Sequence, residues 1–291
     1  MEFHYICKQR AGLGESPVWS AEENCVYWID IRGPALLRTD LNNSNTQTWD
    51  LPSAPGMIAL RAGGGLMVAL EDGLYGFDPG TGDLDLLSSF EEYSPENRFN
   101  DGKCDVVGRL WVGTMNKADS TQASGAFYRI DPDLTQTRVA GGFRIPNGLA
   151  WSPDDTVMYH TDSRANVVHA YDFDPDTGER SGKRELFHFH REKTGSVDGA
   201  AMDIEGAYWA ALYGGGQLIR VLADGSLDQE IPLPVTQPTM PAFGGEDMKT
   251  IFMTTASQRL NEEELSSQPL AGGLLTVSVD VPGHPVHPFG G

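Results

Sequence analysis

A short, strongly apolar segment recurs six times along the chain and constrains the fold more than any other feature of the sequence. Its copies follow one another at intervals of roughly 40–50 residues, which is the length of one four-stranded blade of a β-propeller. The six copies lie at residues 27–30, 66–70, 110–113, 158–161, 208–211 and 251–254. We therefore predict an all-β fold, a six-bladed β-propeller of four-stranded blades.

Three further segments carry an Asp-Pro step, which favours a type I turn. They lie at residues 77–83, 130–135 and 173–179. We expect them to join the outer strands of successive blades. The third copy also resembles a calcium loop, because Asp172, Asp174 and Asp176 alternate. The loop would need Gly and Glu where Thr177 and Lys183 stand, so the hairpin interpretation is favoured.

Closing a propeller requires its first and last strands to be paired, since an open edge exposes unpaired backbone groups. We expect residues 3–7 to complete the last blade beside a C-terminal strand at residues 273–279. The segment from Asn261 to Leu265 is the one patch with a helical pattern, and it is short and acidic. No linker divides the sequence, so residues 1–291 are predicted to form a single propeller domain.

The balance of charge restricts the partners of the chain. It contains 21 Lys and Arg against 41 Asp and Glu, which gives a formal net charge of -20. Nucleic acids and anionic membranes are bound through clusters of basic residues, so neither is an expected partner. The acidity favours a small neutral or cationic ligand, although acidity of this kind can also serve solubility alone. The oligomeric state is not predicted.

The N-terminal residues lack the basic and apolar regions of a signal peptide, and no apolar run is long enough to span a bilayer. Cys7, Cys25 and Cys104 are widely spaced and form no Cys-x-x-Cys motif. These features predict a soluble cytoplasmic protein with buried thiols.

Four polar residues are expected just before innermost strands, and these positions converge on the central channel of a propeller. They are Glu15, Asn100, Asn147 and Asp198. Carboxylate and amide oxygens suit Ca²⁺, Mg²⁺ or Mn²⁺, and they hold Fe²⁺ or Zn²⁺ less selectively. Asn-Gly and Asp-Gly steps are also common hairpin turns, so spacing alone leaves a metal site and a structural turn as alternatives.

Five segments distributed over nearly the whole chain lie at residues 14–19, 97–103, 108–115, 146–154, and 198–199 with 203–206. They resemble, in the same order, the signature segments of the senescence marker protein/gluconolactonase/regucalcin family. The resemblance implies a six-bladed propeller that binds one divalent metal ion at the mouth of its channel and hydrolyses sugar lactones.

By position, the resemblance implies that Glu15, Asn147 and Asp198 are metal ligands. It implies that Arg98 and Asn100 hold the substrate or a water molecule. Some relatives place a substrate-binding Glu shortly after the segment that ends at Met115, whereas residues 116–119 here contain none. The substrate pocket is therefore expected to differ.

The expected reaction is opening of a sugar-acid lactone to the free acid, with the metal polarising the carbonyl and Asp198 as general base. A hydroxide activated by the metal is the alternative base. Arg98 has an alternative structural role as a salt-bridge partner of Glu96 or Asp101. For the protein as a whole, the alternative to catalysis is a calcium-binding regulatory propeller. The sequence has no Gly-x-Ser-x-Gly motif, and His188 and His190 are expected to lie on one face of an outer strand.

Overall fold

The computed structural model describes residues 3–7, 9–90 and 95–291. Within these ranges, 24 strands form six four-stranded antiparallel sheets, and two short helices lie outside the sheets. The innermost strand of each sheet contacts the innermost strands of both neighbouring sheets, so the six sheets close into a ring. The protein is a six-bladed β-propeller, as the repeat predicts.

The strands follow the chain almost without permutation. The first strand is β1 (His4–Tyr5). Blade 1 contains β2 (Gly14–Ser20), β3 (Cys25–Asp30), β4 (Ala35–Asp40) and β5 (Thr46–Asp50). Blade 2 contains β6 (Met57–Leu60), β7 (Leu66–Leu70), β8 (Gly73–Phe77) and β9 (Leu84–Ser89). Blade 3 contains β10 (Asn97–Cys104), β11 (Leu110–Asn116), β12 (Gly125–Ile130) and β13 (Gln136–Phe143).

The second half of the chain repeats this arrangement and adds the helices. Blade 4 contains β14 (Pro146–Trp151), β15 (Val157–Asp162), β16 (Val167–Phe173) and β17 (Arg180–His188), and α1 (Arg191–Thr194) follows it. Blade 5 contains β18 (Ser196–Met202), β19 (Tyr208–Tyr213), β20 (Gln217–Val221) and β21 (Leu227–Pro232). Blade 6 contains β22 (Pro238–Gly244), β23 (Thr250–Thr255), α2 (Glu262–Ser267) and β24 (Leu274–Ser278).

The six apolar repeats are the second strands of the six blades. Each is packed between neighbouring blades, so residues on both of its faces are buried and the sequence reads as a continuous apolar run. Trp28, Trp111 and Trp209, which occupy these strands in blades 1, 3 and 5, are fully buried. The fourth strands lie at the rim, and their residues are largely exposed.

The ends of the chain close blade 6. Strand β1 pairs with β24, with His4 opposite Thr276 and Tyr5 opposite Leu275. Helix α2 lies between β23 and β24, in the acidic patch with a helical pattern. Asn261 caps this helix by accepting a hydrogen bond from the Glu264 backbone, and the Glu264 carboxylate accepts one from the Asn261 backbone.

Two expectations about local structure were wrong. The Asp-Pro turns join the third and fourth strands of one blade rather than the outer strands of successive blades, because those strands are antiparallel neighbours that a tight hairpin can connect. In the third copy, the backbone amide of Gly178 donates to Asp174 at 2.7 Å, which closes the hairpin. Strand β17 ends at His188, and His190 precedes α1, so these two histidines do not share a strand.

The innermost strands all start at one mouth of the channel and end at the other. At the far end, the segment after β24 crosses beneath several blades. His284 donates its backbone amide to Met202 at the end of β18, and Phe289 donates to Leu60 at the end of β6. The Phe289 side chain is fully buried. This C-terminal segment therefore covers the end of the channel opposite the starts of the innermost strands.

Cys7, Cys25 and Cys104 are buried free thiols, as expected. Neither helix in the described ranges has the length and apolar character needed to cross a bilayer.

Candidate active site at the mouth of the channel

The five residues singled out in the sequence line one cavity of about 370 Å³ at the mouth where the innermost strands start. They are Glu15, Arg98, Asn100, Asn147 and Asp198. Cavities of this size hold small-molecule ligands. The side chains come from blades 1, 3, 4 and 5, so the ring of strands assembles the site from segments that are distant in sequence.

Backbone irregularities in the innermost strands place these side chains. The residues lie inside the strands, rather than just before them, at points where the pairing with the second strand is interrupted. In β14 the interruption falls between Asn147 and Ala150, and Gly148 there adopts a left-handed φ of 65°. A side chain at Gly148 would collide with the Tyr208 hydroxyl, which donates to the Gly148 carbonyl at 2.7 Å. A bulge turns a side chain away from its regular position, and here the interruptions accompany side chains that face the cavity.

A continuous chain of hydrogen bonds joins four of the five residues. Arg98 donates to Oδ1 of Asn100 at 2.9 Å, and Nδ2 of Asn100 donates to Oδ1 of Asn147 at 2.8 Å. Nδ2 of Asn147 then donates to Oδ1 of Asp198 at 2.7 Å and to the Ser163 hydroxyl at 2.9 Å. The chain fixes the orientation of each side chain relative to the next across blades 3, 4 and 5.

Buried carboxylates in the channel raise the pKa of neighbouring carboxylates. Burial, and then the neighbouring Asp101 carboxylate, raise the pKa of Glu15 to about 8. Burial, followed by Glu15 and Asp101, raises the pKa of Asp198 well above its ordinary value. Lys103 lies with them, and burial lowers its pKa. The ammonium group of Lys103 donates to the carbonyl oxygens of Leu149 and Ala200.

This donor set fits a hard divalent cation. Burial, followed by the Glu15 and Asp101 carboxylates, raises the pKa of Asp198, and the positive charge of a divalent ion would oppose that shift. Glu15 and Asp198 offer carboxylate oxygens, and Asn147 offers an amide oxygen, all of which are ligands of Ca²⁺, Mg²⁺ or Mn²⁺. Within the described ranges, no three His, Cys, Asp or Glu side chains gather at metal-binding distance, so a site here depends on the amide.

Several cavity residues were not found from the sequence. Ser163, Arg164, Tyr213, Gln258, Arg259 and Arg32 all line the cavity. Each belongs to a connection between the second and third strands of a blade or to the end of the second strand. Because the second strand returns to the mouth where the first began, these connections meet the site residues. The six apolar repeats could have indicated this, since each connection follows one repeat directly.

The resemblance indicated that the substrate pocket differs from that of some relatives at residues 116–119. These residues lie beside the site. The lining contributed by this connection consists of Met115 and Ser120. Lys117 points to blade 2, where its ammonium group forms an ion pair with Glu71 at 2.9 Å.

A six-bladed propeller with a carboxylate and amide cluster at one mouth of its channel defines a class of small-molecule-binding propellers. Comparison with known proteins makes the assignment more specific. The model of the family described as SMP-30/Gluconolactonase/LRE-like region matches residues 13–257. The chain belongs to this family.

Relatives are similar over their whole length. The chain is 38% identical to a 6-deoxy-6-sulfogluconolactonase of Pseudomonas putida, over 96% of this chain and 95% of the relative. It is 33% identical to regucalcin of Gallus gallus, over 98% of this chain and 97% of the relative. Among solved structures, the calcium-binding protein regucalcin of Agrobacterium tumefaciens superimposes with a TM-score of 0.93 at 28% identity, covering 98% of this chain and 96% of that protein.

Proposed function

We propose that this protein hydrolyses the ring ester of a sugar-acid lactone to the free acid, with a divalent cation held by Glu15, Asn147 and Asp198. The observation that carries the proposal is the hydrogen-bonded series Arg98–Asn100–Asn147–Asp198 in one small cavity. Membership of a family that includes a relative named as a lactonase supports the reaction class.

The cation, when bound, would act as a Lewis acid that stabilises negative charge developing on the carbonyl oxygen of the lactone. Hard oxygen ligands favour Ca²⁺, Mg²⁺ or Mn²⁺, with Zn²⁺ and Fe²⁺ as weaker candidates. A similar protein of known structure is described as calcium-binding, which supports a divalent cation as the cofactor.

The side chains of the cavity supply binding and proton transfer. Asp198, whose carboxylate a bound cation would keep ionised, accepts a proton from the attacking water as the new bond to the carbonyl carbon forms. The bond between that carbon and the ring oxygen then breaks, and the ring oxygen takes up the proton to become a hydroxyl group. Arg98 and Asn100 bind and orient the ring hydroxyl groups, since the guanidinium group donates and the amide both donates and accepts.

A calcium-binding regulatory propeller without turnover is the second candidate, because the same donor set suits Ca²⁺ and several similar proteins carry the name regucalcin. The two candidates differ in turnover. Protein stripped with chelator and reloaded separately with Ca²⁺, Mn²⁺, Mg²⁺, Zn²⁺ or anaerobic Fe²⁺ is assayed on a panel of pentono- and hexonolactones. Turnover that a cation restores supports the lactonase. Tight cation binding without turnover of any lactone supports the regulatory candidate instead.

The charge of the substrate is a separate question. The overall acidity of the chain predicts a neutral lactone, with no nucleic acid or membrane partner. The lining of the cavity, however, contains more arginines than carboxylates.

A further inference from the structure

Arginine is concentrated around the mouth of the cavity. The arginines that line it are Arg32, Arg98, Arg164, Arg191 and Arg259. Among the described residues, the carboxylates that line the same cavity are those of Glu15 and Asp198. The chain as a whole has about twice as many acidic as basic residues, so the local balance of charge is the reverse of the global one.

Four of these arginines form no ion pair with a carboxylate in the described part of the chain, namely Arg32, Arg164, Arg191 and Arg259. Nε of Arg32 donates to Oε1 of Gln258 at 2.8 Å, and Arg164 donates to the Ser120 hydroxyl at 2.9 Å. Both partners are neutral. Elsewhere, five arginines do pair with carboxylates. Those five are Arg38, Arg109, Arg129, Arg184 and Arg220. These four guanidinium groups at the mouth therefore keep their positive charge without an ion pair to a carboxylate of the described residues.

Arg164 and Arg191 are the two best placed to contact a ligand directly. Both are half-buried in the lining, whereas Arg32 and Arg259 are exposed. Asn166, two residues after Arg164, accepts a hydrogen bond from the Arg191 backbone amide at 3.4 Å, so α1 is held against the β15–β16 connection. The Ser120 hydroxyl orients the guanidinium group of Arg164 from blade 3.

We propose that the lactone hydrolysed here carries a second, anionic group remote from its ester, and that Arg164 and Arg191 bind this group while Arg32 and Arg259 attract it. This inference rests on the proposed lactonase function and names its substrate class. Guanidinium groups match the paired oxygens of sulfonate, phosphate and carboxylate, and they keep their charge at any physiological pH. An acidic protein repels anions in general, so a local excess of arginine is needed to admit one.

The test compares lactones that differ in one substituent. Glucono-δ-lactone is assayed beside its 6-phospho and 6-deoxy-6-sulfo analogues and beside a hexarolactone that carries a carboxylate. We expect kcat/KM to be about tenfold or more higher for at least one anionic analogue than for the neutral lactone, with the advantage declining as NaCl is added. The ranking of the three analogues identifies the anion. A neutral lactone that equals or exceeds all three overturns the inference.

Substitutions of the arginines test where the anionic group of the lactone binds. Arg164→Gln and Arg191→Gln should each lower the ratio of kcat/KM for the preferred anionic lactone to that for the neutral lactone by about tenfold. Arg138→Gln removes one positive charge from an exposed position on the outermost strand of blade 3, and it should leave this ratio within twofold. Thermal unfolding is recorded for every variant. If Arg164→Gln does not fold, the ratio measured for Arg191→Gln alone tests the assignment. An unchanged ratio in a folded Arg191→Gln variant overturns the assignment of these residues.

Equilibrium binding separates this inference from the proposed reaction. If no lactone is hydrolysed, the lactonase proposal fails, and calorimetry with 6-phosphogluconate and gluconate still measures recognition of the second anion. Tighter binding of 6-phosphogluconate by about tenfold, lost in Arg191→Gln, supports the anion site on its own. Equal affinity for the two acids contradicts it.

Discussion

The amide nitrogen of Asn147 donates to Oδ1 of Asp198 at 2.7 Å, which joins blades 4 and 5 across the mouth of the channel. The amide oxygen of Asn147 faces the other way and accepts a hydrogen bond from Asn100. A cation held by both residues needs an oxygen of Asn147 where the nitrogen now lies. Cation binding is therefore coupled to the orientation of the Asn147 amide and, through Asn100, to that of Arg98.

Replacing Asp198 tests the proposed reaction most directly. Asp198→Asn keeps the shape of the side chain but removes both a negative charge that would hold the cation and the group that accepts a proton. We expect kcat/KM to fall by about 10²–10⁴-fold and the affinity for the activating cation to fall with it. Steady-state kinetics on the best lactone and calorimetric titration with the cation measure the two effects.

His188→Ala is the matched control for that variant. His188 lies on the exposed outer strand β17 and contacts Glu185 at 3.0 Å, away from the cavity lining. Both the lactonase rate and the cation affinity should stay within twofold of the unsubstituted protein. An Asp198→Asn variant as active as His188→Ala would show that the reaction does not use Asp198.

The blade count could be predicted from the sequence because the second strands are buried on both faces. Burial on both faces requires an unbroken apolar run, and such a run at residues 66–70 or 208–211 is visible without knowledge of its neighbours. Glu15, Asn147 and Asp198 could be grouped because a propeller brings the starts of its innermost strands together. The resemblance to a family then selected these residues among many polar-Gly turns.

The apolar repeats indicate which connections return to the mouth, but they do not indicate which residues of those connections face the cavity. Arg32, Arg164 and Arg259 occupy irregular connections that carry no hydrophobic period, and their meeting depends on the closure of the ring. The position of Lys103 in the channel and the crossing of the C-terminal segment under blades 2, 3 and 5 also depend on closure of the ring. These contacts form only when the ring of blades closes, whereas sequence patterns indicate local structure.

A buried ionic cluster lies in blade 5. Oδ2 of Asp203 accepts hydrogen bonds from Trp209 Nε1 at 2.9 Å and from Arg220 Nε at 2.8 Å, and Asp203 is fully buried. Asp203→Ala leaves the Arg220 guanidinium group buried without this partner. We expect the free energy of unfolding to fall by about 3–5 kcal/mol, measured by urea denaturation at pH 7.

Glu205 provides the control, because its carboxylate contacts the same arginine at 2.7 Å but is 61% exposed. Water and salt screen an exposed pair, so Glu205→Gln should cost less than about 1 kcal/mol. Equal losses in the two variants would mean that burial does not govern the strength of this cluster.

The C-terminal segment is predicted to contribute strongly to stability through Phe289. Its side chain is fully buried in a core that includes Met57, Phe99 and Leu110. Phe289→Ala should lower the free energy of unfolding by about 3–5 kcal/mol, because it removes the apolar contacts and leaves a cavity. Leu86→Ala, at a side chain that is 55% exposed, is the comparison and should change stability by less than about 0.5 kcal/mol. Urea denaturation of both variants measures the difference, and similar losses would contradict a role for the segment.

His160 is predicted to make the protein less stable in acid. Burial, and then the charge of Arg180, lower its pKa from 6.5 to about 3. Its ring packs against Phe127 and Phe143, with centroids 4.4 and 5.2 Å away. Because the folded pKa is depressed, the unfolded chain binds the proton more readily between pH 6.5 and about 3. The contribution of His160 to the free energy of unfolding is fully present above pH 6.5. It declines as the pH falls, by up to about 1.4 kcal/mol per pH unit.

His160→Gln isolates that contribution, because it removes the titrating ring while all other ionisable groups remain. The free energy of unfolding is measured by urea denaturation at pH 7.5, 6.5, 5.5 and 4.5 for both proteins. The substituted protein should lose less stability between pH 6.5 and 4.5 than the original, and the two should run parallel above pH 7. Parallel curves over the whole range would show that His160 does not become protonated on unfolding, which would contradict its burial as a neutral ring.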